Sequence, residues 1–229
     1  MSLGIHGGFL KLIFMARLEH GLLGMFRGKL GGVVVYQLMG KTVVRTVGKV
    51  QLPPTEKQLA IRQGMSLVNG LLKPIQAFIK EGFRVEAAKV AKHPQNLAVS
   101  YNMKNALKGD YPNREIDYPK VRLTQGELMG PEHPAVELTA TGLNFTWDNL
   151  LPLKKIEEYD QVMIMVYFPA LGRAFFITEG VLRVTGMQSV TLSASMQTAY
   201  METYMAFVAS DRSAISNSVY TGSFNKNNF

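Results

Sequence analysis

The stretch Gly24-Met-Phe-Arg-Gly28-Lys-Leu-Gly31-Gly32-Val-Val-Val-Tyr36-Gln-Leu-Met-Gly40-Lys41-Thr42-Val-Val-Arg45 weaves five glycines and four basic residues through β-branched positions. Residues 32–37 and 42–47 are two β-rich runs. Gly40 stands between them and can take the positive φ that a tight turn requires. The pattern predicts a basic β-hairpin. Alternation puts Val33, Val35 and Gln37 on one face and Val34, Tyr36 and Leu38 on the other, and neither face reads as clearly polar. An isolated two-stranded hairpin is marginal in water. This one needs a cover, from the helices that follow, from a second domain or from another subunit. Gly40-Lys41-Thr42 mimics the end of a phosphate loop. That motif needs a glycine where this chain has Val35, and a helix where it has the strand-like Val43-Val44-Arg45. The nucleotide reading is set aside on those two grounds.

Working outward, Pro53-Pro54 breaks the strand pattern and Thr55-Glu-Lys-Gln58 fits a helix capping box. Ile61, Met65, Val68, Leu72, Ile75 and Ile79 then recur at alternating spacings of four and three, one apolar stripe widened by Leu67, Leu71 and Phe78. Pro74 lacks the amide of a continuous ladder and predicts a kink or a second helix start, with Gly82 as a stop. A further helix is expected from Pro94 to Lys108, punctuated by Gly109. Residues 116–123 read as a strand.

The Gly/Pro-rich segment 126–134 is the expected domain boundary. Beyond it, short β runs come at even spacing, over 136–140, 143–147, 161–168, 174–178, 181–184, 189–193, 200–209 and 218–224. With the single Trp, Trp147, on an early strand, they suit a β-sandwich of immunoglobulin or fibronectin-III type with Trp147 in its core. The expected fold class is therefore α+β. Residues 15–125 form a basic module of a hairpin with two or three helices, 131–224 form the sandwich, and 225–229 are a frayed tail. Residues 1–14 read as an extraneous or loosely packed leader. Lys11 splits their apolar run, so they make a poor signal peptide, which favours a cytoplasmic location. No stretch has the length of uncharged apolar residues that a membrane span needs.

The chain has 229 residues, no cysteine and a net charge of +8. Without cysteine there is no disulfide, zinc–thiolate site or thiol nucleophile. Residues 1–130 hold nineteen Lys and Arg against eight Asp and Glu, whereas 131–229 hold six against nine. A basic first half suits an anionic partner, but no run of basic residues occurs, so solvated faces with attraction between the halves or between subunits are the favoured account. His6, His20, His93 and His133 have no metal-ligand spacing. Glu157, Glu158 and Asp160 read as a solvated acidic turn rather than a Ca²⁺ loop. Tyr36 with Lys41 and Arg45, and Tyr101 with Lys104 and Lys108, are the nearest approaches to an aromatic–basic nucleic-acid surface.

Several blocks occur in order. They are Gly21-Leu-Leu-Gly-x-Phe-x-Gly-Lys-Leu-Gly-x-Val-Val34, Gly40-Lys-x-Val-Val-Arg45, Pro54-Thr-x-x-Gln-Leu-Ala-x-Arg62, Tyr101-Asn-x-Lys-Asn-Ala106, Ile116-Asp-Tyr-x-Lys-Val121 and Ser216-Asn-Ser-Val-Tyr-x-Gly222. Together they resemble a domain-of-unknown-function family of uncharacterised proteins from Bacteroidetes-type bacteria. The resemblance implies no activity, no cofactor and no catalytic residues. From the residues themselves, the expectation is a non-enzymatic interaction or assembly protein with a protein partner or a homo-oligomer. Gly31, Gly32 and Gly40 would permit close backbone approach. Tyr36, Lys41, Arg45 and Arg62 would complete the contact arm. A nucleic-acid binder acting through the basic half, and a carbohydrate or surface-adhesion module, are the competing classes.

Overall fold

The computed structural model describes residues 16–18, 28–48, 52–148 and 159–226. The expected leader, His6, His20, Glu157, Glu158 and the last three residues of the tail lie outside them. The chain is α+β with several antiparallel sheets, and it divides into two compact units, Met1–Pro54 and Thr55–Phe229.

In the first unit, β1 (Ala16–Leu18), β2 (Gly28–Leu30), β3 (Val33–Leu38) and β4 (Lys41–Thr46) make one antiparallel sheet in the order β1-β4-β3-β2. The two β-rich runs thus form the middle of a four-stranded sheet. β3 and β4 join through a two-residue turn in which Met39 has φ +52° and Gly40 φ +76°. Positive φ at both central positions gives the type I′ geometry whose twist matches that of the strands it connects.

The second unit begins with α1 (Glu56–Leu72), and its capping box forms: the Thr55 hydroxyl accepts from the Gln58 amide, and the Gln58 side chain accepts from the Thr55 amide. Pro74 ends α1 in a 3-10 turn over Lys73–Ile75, which passes straight into α2 (Gln76–Gly82). α3 (Arg84–Lys89) follows, unanticipated by the periodicity. α4 (Pro94–Asn105) starts on its proline, with the His93 ring accepting from the Gln95 amide. It stops short of Lys108, because Leu107–Lys108 pair as β5 with β6 (Glu115–Ile116). The remainder of the strand expected over 116–123 is a 3-10 turn at Tyr118–Lys120.

Seven longer strands follow: β7 (Glu132–Thr139), β8 (Gly142–Asp148), β9 (Gln161–Phe168), β10 (Arg173–Ile177), β11 (Met187–Thr191), β12 (Met201–Val208) and β13 (Val219–Phe224), with a short α5 (Ala194–Gln197) before β12. They form a sheet β10-β9-β12-β13 and a sheet β11-β8-β7. The run expected at 181–184 is instead a 3-10 turn at Arg183–Thr185. On β9, Val162, Ile164, Val166 and Phe168 pack with Leu143, Phe145, Trp147 and Phe207 in one core, between the two sheets. Met163, Met165 and Tyr167 pack with Val68, Leu72, Ile75, Phe78 and Ile79 in another, under the helices. The four-stranded sheet is therefore covered on both faces, which is why β9 and β12 are near-continuous apolar runs rather than alternating ones.

This packing moves the boundary expected at 126–134 to Pro54–Thr55. The helices belong with the C-terminal sheets, not with the glycine-rich strands. The Gly/Pro segment is tied into the body rather than acting as a linker. The Leu128 amide donates to the Ile215 carbonyl, and the Arg183 guanidinium donates to the carbonyls of Met129 and Gly130.

Candidate contact surface

Cross-strand register assigns each side chain of the N-terminal sheet to a face. Lys29, Val34 and Arg45 form one row across three strands, Tyr36 pairs with Val43, and Leu38 with Lys41. Those residues share a face. The opposite face carries Val33, Val35 and Gln37 opposite Thr46, Val44 and Thr42, with no charge among them. The two faces, alike in the sequence of β3 alone, differ once the neighbouring strands are aligned.

Lys29, Leu38, Lys41 and Arg45 are exposed, Val34 and Tyr36 half-buried, and Val43 buried. The Arg45 guanidinium stands 6.0 Å from the Tyr36 ring centroid, the outer limit of a cation–π contact. Among the described residues, Lys29, Lys41 and Arg45 have no carboxylate partner, and β1 to β4 contain no Asp or Glu. Lys41 opens β4, so no helix N-terminus follows Gly40.

Of the seven residues singled out in the sequence, Gly31, Gly32, Tyr36, Gly40, Lys41 and Arg45 lie in this sheet or its turns. Arg62 does not, being exposed on α1 in the other unit. A Cβ at Gly31, Gly32 or Gly40 would meet nothing within 4 Å, so the space beside these glycines is open among the described residues. Gly31 (φ +58°) and Gly40 serve as turn positions, and the Gly32 carbonyl accepts from the Val47 amide at 2.8 Å. Lys29 was missed as part of the surface because only its pairing with Val34, and hence its row with Arg45, reveals it.

The second aromatic–basic group is not a common surface. The Tyr101 ring lies 4.5 Å from the Arg122 guanidinium, and Lys108 has left the helix to meet Glu115 at 3.6 Å. Asp160 is also not the solvated carboxylate expected. It is 1% exposed and meets the buried Arg183 at 3.3 Å, and the Arg183 carbonyl accepts from the Trp147 indole at 2.7 Å. Trp147 is a core residue, edge-on to Phe207.

The body holds a second buried polar cluster. Glu202, 3% exposed, accepts from the Tyr200 hydroxyl and, at 2.6 Å, from the Tyr220 hydroxyl. Burial first, then the hydrogen bond to Glu202, pushes the Tyr220 hydroxyl up to about 12. Burial also raises Tyr118, Tyr200 and Tyr204, all with a smaller contribution from the Glu202 charge. Among the described residues, no three His, Asp or Glu side chains come together as a metal site, and no helix is long and apolar enough to cross a membrane.

The blocks that lie in the body have structural work. Asn102 brackets Arg122 by donating to its carbonyl and accepting from its amide, both at 2.9 Å. Ser216 and Ser218 accept from the amides of Phe207 and Leu123, each at 2.8 Å. The Gly222 carbonyl accepts from the Thr203 hydroxyl at 2.9 Å. The basic side chains of the N-terminal blocks have no such internal task among the described residues.

No curated protein and no solved structure gives a significant match to the chain. The model of a family of unknown function, DUF6266, matches residues 25–222, from just before β2 into β13. Covering most of the sequence and both compact units, that match shows that the chain belongs to this family of unknown function.

Proposed function

We propose that this is a non-enzymatic interaction or assembly protein whose N-terminal sheet is the contact arm and whose α+β body is the rigid carrier. The observation that supports it most is the row pattern of the N-terminal sheet. Three exposed basic side chains, without carboxylate partners among the described residues, surround Tyr36, Val34 and Leu38. An aromatic and aliphatic centre with an Arg/Lys rim is the composition of a protein-binding surface. The carrier reads as a fibronectin-III-like sandwich with a helical layer added. Counted from β7, the fourth strand joins the third, whereas in a constant-type immunoglobulin domain it joins the first, second and fifth.

The reading is tested by comparing the intact protein with its Lys41→Glu/Arg45→Glu variant in light scattering and pull-down. Association at low salt that the variant loses, with its circular dichroism unchanged, is the expected result. A strictly monomeric protein that captures nothing would sink it. Nucleic acid is the second reading, favoured by Tyr36 lying on one face with Lys29, Lys41 and Arg45. It requires a salt-sensitive mobility shift with DNA or RNA that the same variant abolishes. The carbohydrate reading has less support, because the outer face of the β11-β8-β7 sheet carries no aromatic side chain for a sugar to stack on.

A further inference from the structure

The β11-β8-β7 sheet has the opposite charge pattern to the N-terminal sheet. Its strands contain Glu132, Glu137 and Asp148 and no Lys or Arg. The inward side chains of β8, Leu143, Phe145 and Trp147, are buried in the sandwich core, so Asn144, Thr146 and Asp148 face outward. Register then lays out the outer face in rows. Glu137, Asn144 and Ser189 form one, Ala135, Thr146 and Met187 the next, and Glu132 with Asp148 the third. Met187 is 48% exposed, and Glu137 and Asp148 are exposed. The one histidine there, His133, sits at the irregularity between Glu132 and Ala135, its Nδ1 2.9 Å from Asp148.

The two faces match in spacing as well as in sign. On β4, Lys41 and Arg45 flank Val43 four residues apart, roughly 13 Å along a strand. On β8, the Glu137 row and the Asp148 row flank the Met187 row at the same four-residue interval, Asn144 to Asp148, again roughly 13 Å. Lys29 extends the basic pattern to β2, two strands from Arg45, and Glu132 stands beside Asp148 on the neighbouring β7. Each face therefore presents charge on either side of a middle row, which register completes with Arg17 on the basic face and Thr146 on the acidic one.

We infer that the occupant of the basic face of the N-terminal sheet is the outer face of the β11-β8-β7 sheet of a second copy of this chain. The inference rests on the contact-arm reading above and names its partner. Two sheets packed face to face bring their side chains together across about 10 Å. Tyr36 and Val34 would lie over Ala135 and Met187, with Lys41 and Arg45 beside the carboxylates. The two surfaces are different patches, so the contact is heterologous. It closes on itself as a ring, of which a reciprocal two-fold dimer is the smallest, or propagates as an open filament.

The experiment uses two full-length variants, one on each face: Lys41→Glu/Arg45→Glu and Glu137→Lys/Asp148→Lys. In light scattering at low ionic strength, the unaltered protein is expected to gain mass with concentration. It should lose that mass in about 1 M salt, where the screening length is about 3 Å. Each variant alone is expected to self-associate at least about tenfold more weakly, since two attractive pairs become repulsive. An equimolar mixture should regain assembly, because the unaltered face of each variant meets its native counterpart on the other and the two reversed faces attract one another. That rescue also proves that both variants are folded. A mixture that stays monomeric, a variant that still assembles alone, or an unaltered protein that is monomeric at every concentration each overturns the inference. If the unaltered protein is monomeric but captures another protein or a nucleic acid through Lys41 and Arg45, the contact-arm reading survives and this assignment of its partner does not.

Discussion

At the scale of single residues, the body depends on two buried ionisable centres. Asp160 and Arg183 are 1% and 2% exposed, and the guanidinium also reaches the carbonyls of Met129 and Gly130 and lies 4.5 Å over the Phe207 ring. Removing one partner of a buried pair leaves the other charge uncompensated, a loss of about 3–5 kcal/mol. Asp160→Asn is expected to lower the urea stability of the body by about that amount. A loss below about 1 kcal/mol would show the pair to be solvated. The Glu202 cluster has a different signature. The folded-state pKa of Tyr220 is raised from 10.0 to about 12, so its contribution to stability is complete below pH 10 and is lost as pH climbs through 12. Tyr118, Tyr200 and Tyr204 shift in the same direction. Stability followed by denaturant titration should therefore fall from about pH 10 upward. Stability that stays flat from about pH 10 to 12 would contradict the cluster.

Among the elements, the glycine that ends α2 gives the sharpest expectation. A Cβ on Gly82 would stand 2.5 Å from the Leu123 carbonyl oxygen and 2.7 Å from the Thr124 methyl carbon. Alanine improves helix propensity by about 1 kcal/mol, but overpacking of this kind costs about 1–3 kcal/mol, and the rigid carbonyl decides the sign. Gly82→Ala is expected to lower the urea midpoint, and a raised midpoint would mean that the 123–124 segment yields. Gly82 was legible in the sequence as a stop but not as a contact, since its neighbour is some forty residues away. The same division runs through the other elements. The Thr55 cap and β9 could be read directly, the first because a capping box is local and the second because burial on both faces leaves an unbroken apolar run. The strand expected at 181–184 failed because its β-rich residues surround Arg183, whose side chain turns inward to Asp160. The apolar stripe of α1 was legible, yet Ile61 and Met65 are exposed while Val68 and Leu72 are buried, because periodicity gives a face and not the extent of its cover. On the candidate surface, the composition revealed Tyr36, Lys41 and Arg45. The row that joins Lys29 to Arg45, and the matching rows on β7 and β8, exist only in the register.

At the scale of the whole molecule, the two units differ in what holds them. The body has two apolar clusters against opposite faces of one sheet, and every residue of β12 is buried. In the N-terminal sheet, Val35 and Val43 are the buried hydrophobic residues among those described. A four-stranded sheet whose described residues enclose so little surface is expected to open at a small fraction of the free energy needed to open strands buried on both sides. Native-state hydrogen exchange is expected to separate them. Amides of β9 and β12 should exchange only through global unfolding, with the full denaturant dependence. Those of β3 and β4 should exchange through a local opening that barely depends on denaturant. Equal protection and equal slope in both sets would mean that the units unfold as one. The difference also makes binding measurable. A partner that covers the Lys29–Arg45 face must slow exchange in β3 and β4 while leaving β9 and β12 at their ceiling, because stabilisation by a ligand appears where the opening it suppresses occurs. If the partner is a second copy, protection should rise with protein concentration in β3 and β4 and also in β7 and β8, and fall in both places with salt. A partner of another kind would protect the first pair alone.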